Sequence, residues 1–187
     1  MAGGTRRHVA DTGAQDQRSA KQALRGRVLA ARAALPERVR RAGDRARDAA
    51  LADLLAGAAG TASYASFGTE PGTLGHLRPG HLLPVLRSDH DLDWTAYDGR
   101  LPADGPRLGP GALAACDLVL VPALVVDRTG ARLGRGGGSY DRALTRATGL
   151  LVALLHDGEL VDDVPTQAHD VRVHAVATPG GLVRLRA

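Results

Sequence analysis

The stretch that most constrains the fold runs from residue 117 to residue 156. DLVLVPALVV (117–126) is a continuous apolar run, the pattern of a parallel strand buried on both faces, where neither side needs polar residues. RLGRGGGSYDRAL (132–144) then sets Gly134, Gly136, Gly137 and Gly138 ahead of a segment that reads as a helix from about Ser139 to Thr148. LLVALLH (150–156) is a second buried strand. Strand, helix and strand in that order make a βαβ unit, so the spacing predicts a layered α/β domain around a mainly parallel sheet.

The flanks fit that expectation. Leu24, Val28 and Ala31 recur at i, i+4 and i+7 and predict an amphipathic helix from Ala20 to about Ala34. Pro36 opens a second helix through Val39, Ala46, Ala50 and Leu54 that should stop near Gly57. TASYASF (61–67), HLLPVLR (81–87), LDWTAYD (92–98) and VHAVAT (173–178) read as strands, with Pro84 placing the second at an edge or a bulge. With 44% apolar residues in 187, the chain can bury one core, so residues 19–187 are expected to form a single domain behind a disordered leader at 1–18.

No apolar run reaches the ~18 residues of a membrane-spanning helix. Cys116 is the single cysteine, which excludes an intrachain disulfide and leaves a small buried apolar role. The cytoplasm is the expected compartment. The net charge of +4 and a pI near 10 raise the question of nucleic acid. Scattered arginines and 3% aromatics, with no basic run interleaved with stacking residues, argue against it. In so lysine-poor a background Lys21, the chain's one lysine, stands out.

Glycines between a buried strand and a helix let backbone N–H groups turn toward one point, and Arg132 and Arg135 add charge. The loop therefore reads as a phosphate cradle or, equally, as a surface turn in which Asp141 complements the helix dipole. Lys21 and Arg25, at i and i+4, are a paired cationic clamp or a solvated face. Glu70 is a turn residue or a ligand contact, and His169-Asp170 is an acid/base or metal pair or a loop cap. Trp94 and Tyr97 read as core or rim.

Taken whole, LVLVPALVVDRTGARLGRGGGSYDRAL (118–144) resembles the signature of the 5-formyltetrahydrofolate cyclo-ligase (methenyltetrahydrofolate synthetase) family. The resemblance extends from the Lys21-x-x-x-Arg25 pair to about Thr178. It implies a sugar-isomerase/CoA-transferase type of α/β sheet and an ATP- and Mg²⁺-dependent closure of 5-formyltetrahydrofolate to 5,10-methenyltetrahydrofolate through a phosphorylated formyl oxygen. By resemblance Lys21, Arg25, Arg132, Gly134, Arg135, Gly136, Gly137, Gly138, Ser139 and Tyr140 would hold ATP. Arg25, Arg132 and Tyr140 would serve catalysis, Glu70 and Tyr140 would contact folate, and Asp141 would bind Mg²⁺. Monomer and homodimer both remain open.

The chain departs from the family pattern at Ser139 (usually Tyr), Gln167 (usually an acid), His174 (usually a second metal-binding Asp) and Gly180 (usually Glu). A Glu-Pro segment is also missing from ADGPRLGPGALAACD (103–117). All of these changes but Ser139 fall on acidic positions. Beside the cyclo-ligase reading they leave a paralogue that activates an amide or formamide of another small molecule, and a nucleotide-binding protein without catalysis.

Overall fold

The computed structural model describes the backbone of residues 5–166 and 170–186 and the side chains from residue 15 onward within those ranges. Helices α1 (Thr5–Ala34) and α2 (Glu37–Gly57) lead into β1 (Thr61–Ala62), β2 (Leu82–Leu86) and β3 (Leu92–Ala96). A 3-10 helix (Pro110–Ala115) precedes β4 (Leu118–Pro122), β5 (Val125–Asp127) and β6 (Arg132–Leu133). The chain ends with α3 (Ser139–Leu144), β7 (Leu150–Leu154), β8 (Leu160–Val161), β9 (Ala175–Thr178) and β10 (Gly181–Arg184).

The main sheet has the order β10-β9-β7-β4-β1-β2-β3. Its inner pairs are parallel, while β2/β3 and β9/β10 close the two margins as antiparallel hairpins. Leu118 and Leu120 of β4 pack with Leu51 of α2 on one face; Val119 and Val121 pack with Leu113, Ala143 and Leu151 on the other. Alternate residues of one strand thus enter two cores, which is why β4 carries no polar residue. The three-layer α/β architecture expected from the sequence is the one observed.

The apolar run 117–126 is two strands, not one. It belongs to the main sheet only as far as Pro122; beyond a corner at Ala123-Leu124, β5 pairs with β6 and β8 in a separate three-stranded sheet. Proline has no N–H to extend the ladder, and the chain leaves the main sheet there. Leu24 and Val28 of α1 pack on Val125 and Leu133 of this small sheet and on Ala131 and Val164 beside its strands. The apolar stripe of the first helix therefore seats it beside the corner. The helix is longer than the stripe suggests, since it begins at Thr5 and takes in the described part of the segment read as a disordered leader.

Other boundaries moved for local reasons. The strand at 61–67 is only two residues long, and it pairs with β2 at Ala62↔Leu82 alone. Pro84 therefore lies beyond the end of β1, facing no ladder on that side, although β2 is not at the margin of the sheet. After Leu144 the expected helix tightens into turns closed by Arg146 N–H to Ala143 O (3.0 Å) and Ala147 N–H to Leu144 O (3.1 Å). Trp94 and Cys116 are core residues.

Candidate active site

From β1 the chain proceeds to β2 on one side of the sheet, and from β4 it proceeds to β7 on the other. The crevice between the carboxyl ends of β1 and β4 is thus a topological switch point, the usual place for a ligand in an open α/β sheet. A cleft of about 1080 Å³ opens there, lined by Tyr64 and Ala65 after β1 and by Pro122 at the end of β4 with Ala123 and Leu124 beyond it. Lys21, Arg25, Glu70, Arg132 and the loop from Gly134 to Asp141, the residues to which the resemblance gave ATP, folate or metal, all line this one cleft.

One wall is α1. Arg18, Lys21, Arg25 and Arg32 follow one another at helical spacing and all face the cleft. Lys21 Nζ donates to Asp170 Oδ2 at 3.0 Å, and Arg25 Nε donates to the carbonyl of Gly134 at 2.9 Å. Arg32 is buried. Its guanidinium makes a bidentate pair with Glu159 (Nε–Oε1 2.6 Å, Nη2–Oε2 2.7 Å) and gives a further bond to Ala123 O at 2.7 Å. Glu159 Oε2 also accepts from the His156 N–H at 2.7 Å. This knot ties the helix to the end of β4 and to the turn after β7.

The opposing wall is the glycine loop. Gly136 has φ +104°, and an added Cβ would stand 3.3 Å from Arg25 Cζ, so the absence of a side chain admits both the turn and the guanidinium that crosses it. Arg132, with a side chain only 3% exposed, donates from Nη2 to Asp141 Oδ1 at 2.7 Å. Burial pulls the Arg132 pKa down, while the charges of Asp141 and Asp170 oppose that shift. Both carboxylates therefore act on the same buried cation.

Glu70 and the two tyrosines form the inner end. Glu70 takes Arg135 Nε on Oε1 at 3.0 Å and the Phe67 N–H on Oε2 at 3.2 Å, while the Arg135 guanidinium covers the Phe67 ring at 4.7 Å. The hydroxyls of Tyr64 and Tyr140 are buried and have no hydrogen-bond partner among the described residues. Burial, then the nearby charge of Glu70, raises the pKa of both, so each stays a neutral phenol able to donate. Phe67, Leu86 and Leu101 are 63%, 64% and 42% exposed and form an apolar lip on the same cleft.

Two of the altered positions lie elsewhere. His174 stands just before β9, at the amino end of the parallel strands, where Nδ1 accepts the Leu151 N–H at 2.9 Å; it does not line the cleft. Gly180 lies in the turn between β9 and β10. Neither change removes a carboxylate from the cleft. Gln167 and His169 fall outside the described residues. Ser139 does line the cleft, as do Leu101 and Ala103 near the missing Glu-Pro segment.

Sequence reasoning missed Arg18, Arg32, Tyr64 and Phe67. The two arginines continue the spacing of Lys21 and Arg25 and could have been read from it. Tyr64 and Phe67 carried no motif, and only the sheet topology brings them to the crevice.

Comparison with known proteins places this geometry. The model of the 5-formyltetrahydrofolate cyclo-ligase family matches residues 17–179. A 5-formyltetrahydrofolate cyclo-ligase of Mycolicibacterium smegmatis is 39% identical over 189 residues, covering 89% of this chain and 97% of the relative. The mitochondrial 5-formyltetrahydrofolate cyclo-ligase of Arabidopsis thaliana is 39% identical over 79 residues, 36% of this chain and 28% of its own. The solution structure of Aquifex aeolicus 5,10-methenyltetrahydrofolate synthetase superposes with a TM-score of 0.73 at 25% identity, covering 89% of this chain and 93% of that one. The Mycoplasma pneumoniae synthetase shares the fold, with a TM-score of 0.68 at 20% identity over 85% of this chain and 98% of its own.

Proposed function

The chain belongs to the 5-formyltetrahydrofolate cyclo-ligase family, and we propose that its cleft uses ATP and Mg²⁺ to convert 5-formyltetrahydrofolate to 5,10-methenyltetrahydrofolate. The observation that carries this reading is the convergence of Lys21, Arg25, Arg132 and Arg135 on the glycine loop, within one cleft that also holds Glu70 and Tyr140.

A formyl oxygen is a poor leaving group. Transfer of the γ-phosphoryl group of ATP to that oxygen activates the formyl carbon and releases ADP. N10 then attacks the carbon, loses its proton, and the C–O bond breaks to release phosphate. Such chemistry asks mainly for positioning and charge neutralisation. Lys21, Arg25 and the loop with Ser139 face the phosphates, and Arg132 sits where charge develops on the transferring group. The apolar lip of Phe67, Leu86 and Leu101 covers the folate rings, while Glu70 and the Tyr140 hydroxyl accept from and donate to their polar edge.

Magnesium commonly takes one or two carboxylates and completes its shell with phosphate oxygens and water. Asp141 and Asp170, both acting on Arg132, fit that donor set, and no group of three metal-binding side chains gathers among the described residues. The ion would supply charge neutralisation at the phosphates. Asp170 pairs with Lys21 through Oδ2 and Asp141 takes Arg132 on Oδ1, so phosphates that draw off Lys21 would release Asp170 Oδ2, while Asp141 would offer Oδ2 and keep its bond to Arg132.

The test is growth of methenyltetrahydrofolate absorbance in a mixture of 5-formyltetrahydrofolate, ATP and Mg²⁺, with one ADP released per product. No absorbance change, or ADP release that needs a different metabolite, refutes the reading. Lys21→Ala is expected to raise KM for ATP by roughly 10- to 100-fold, the worth of one charge-assisted contact. An unchanged KM returns Lys21 to a structural pairing with Asp170.

A further inference from the structure

Arg142 lies on the outer side of the glycine loop, exposed, and does not line the cleft. Its Nη2 donates to the carbonyl of Gly137 at 3.0 Å and to the carbonyl of His90 at 2.9 Å, and Nε reaches the same His90 carbonyl at 3.3 Å. A peptide unit is planar and trans, so fixing the Gly137 C=O outward fixes the Gly138 N–H inward, toward the cleft that Gly137 and Gly138 line. That N–H has no acceptor among the described residues.

The other end of the contact is equally particular. His90 holds φ +63°, a left-handed backbone rare outside glycine, within a tight turn closed by His90 N–H to Arg87 O (3.1 Å) and Arg87 N–H to Asp91 O (3.0 Å). This turn is the tip of the β2–β3 hairpin, and β2 contributes Leu83, Val85 and Leu86 to the facing, apolar side of the cleft. Gly138, at φ +69°, passes so near Arg142 that an added Cβ would stand 3.3 Å from Nη1.

We propose that Arg142 is a positioning residue: one guanidinium clamps the glycine loop to the tip of the β2–β3 hairpin, holding the Gly138 N–H toward the cleft and joining the anion-facing loop to the apolar wall as one unit. The consequence for nucleotide rests on the ATP reading; the order of the loop does not. Arg146 provides an internal comparison, since from the turns after α3 it reaches the same region, donating to Asp91 Oδ1 at 2.6 Å and Pro110 O at 3.2 Å, but has no bond to a carbonyl of the glycine loop among the described residues.

The experiment measures backbone amide order parameters by NMR in the full chain, without nucleotide, for wild type, Arg142→Ala, Arg142→Lys and Arg146→Ala. Wild type should show Gly136 to Ser139 near the rigid value of about 0.85, with Arg142→Ala below about 0.6 in those residues and unchanged in β4 and β7. Lysine should restore part of the order, and Arg146→Ala should leave it intact. A non-hydrolysable ATP analogue should bind Arg142→Ala at least roughly tenfold more weakly than wild type, with KM for the folate substrate nearly unmoved. If wild type fails to bind the analogue but the loop loses order in Arg142→Ala, the ATP reading falls and the clamp stands. Equal loop order in wild type and Arg142→Ala overturns the clamp, as does an equal loss in Arg146→Ala.

Discussion

Arg32→Met is expected to destabilise the protein by about 3–5 kcal/mol, because removing one partner of a buried pair leaves the other charge without compensation. Glu159 is 6% exposed and accepts both prongs of the Arg32 fork. Without them its remaining bond comes from the His156 N–H, which cannot neutralise it. Ala123 O loses its donor as well, at the corner where the chain crosses from the main sheet to the small one. For a chain of this size the loss should appear as a fall in Tm on the order of 10 °C. The double substitution Arg32→Met, Glu159→Leu should recover much of it, since an apolar pair of similar volume is often neutral in place of a buried ion pair. A single substitution that shifts Tm by less than about 2 °C contradicts this account of the corner.

That pair also shows what a sequence displays and what it hides. The βαβ core was legible because β4 and β7 bury both faces, so composition alone marks them. The division of 117–126 between two sheets was less so: apolar runs look the same whichever sheet they join, and only Pro122 signals the break. Arg32 stood in plain view, in register with Lys21 and Arg25. Its partner Glu159 did not, because nothing local says that a turn after β7 returns to the first helix. The same holds for Lys21 with Asp170 and Arg135 with Glu70, whose pairing is tertiary throughout. His174 marks the opposite failure. Read by resemblance it removes a metal ligand, yet the structure puts it at the far end of the strands, where it caps an N–H of β7. A departure from a motif carries functional weight only once its place in the fold is known.

Arg132→Ala is expected to lower kcat by roughly 10²- to 10³-fold, the usual effect of deleting a preorganised donor aimed at developing charge. The proposed role asks for a guanidinium already fixed in place, and that is how Arg132 stands. Its side chain is 3% exposed, one nitrogen is fixed by Asp141, and its Nε is buried with no partner among the described residues. Burial works against its charge, which the two carboxylates counter, so its field is strong where water is excluded. Lysine cannot reproduce this arrangement: a point charge on a flexible stem lacks the planar fork that meets Asp141 on one side and leaves donors for a phosphoryl oxygen on the other. Arg132→Lys should therefore keep much of the ATP affinity and little of the turnover. Steady-state kinetics separates the outcomes, because loss confined to kcat identifies stabilisation made in the transition state, whereas loss confined to KM identifies ground-state binding. A kcat within threefold of wild type in Arg132→Ala would move the catalytic charge to Arg25, the other guanidinium that reaches the loop.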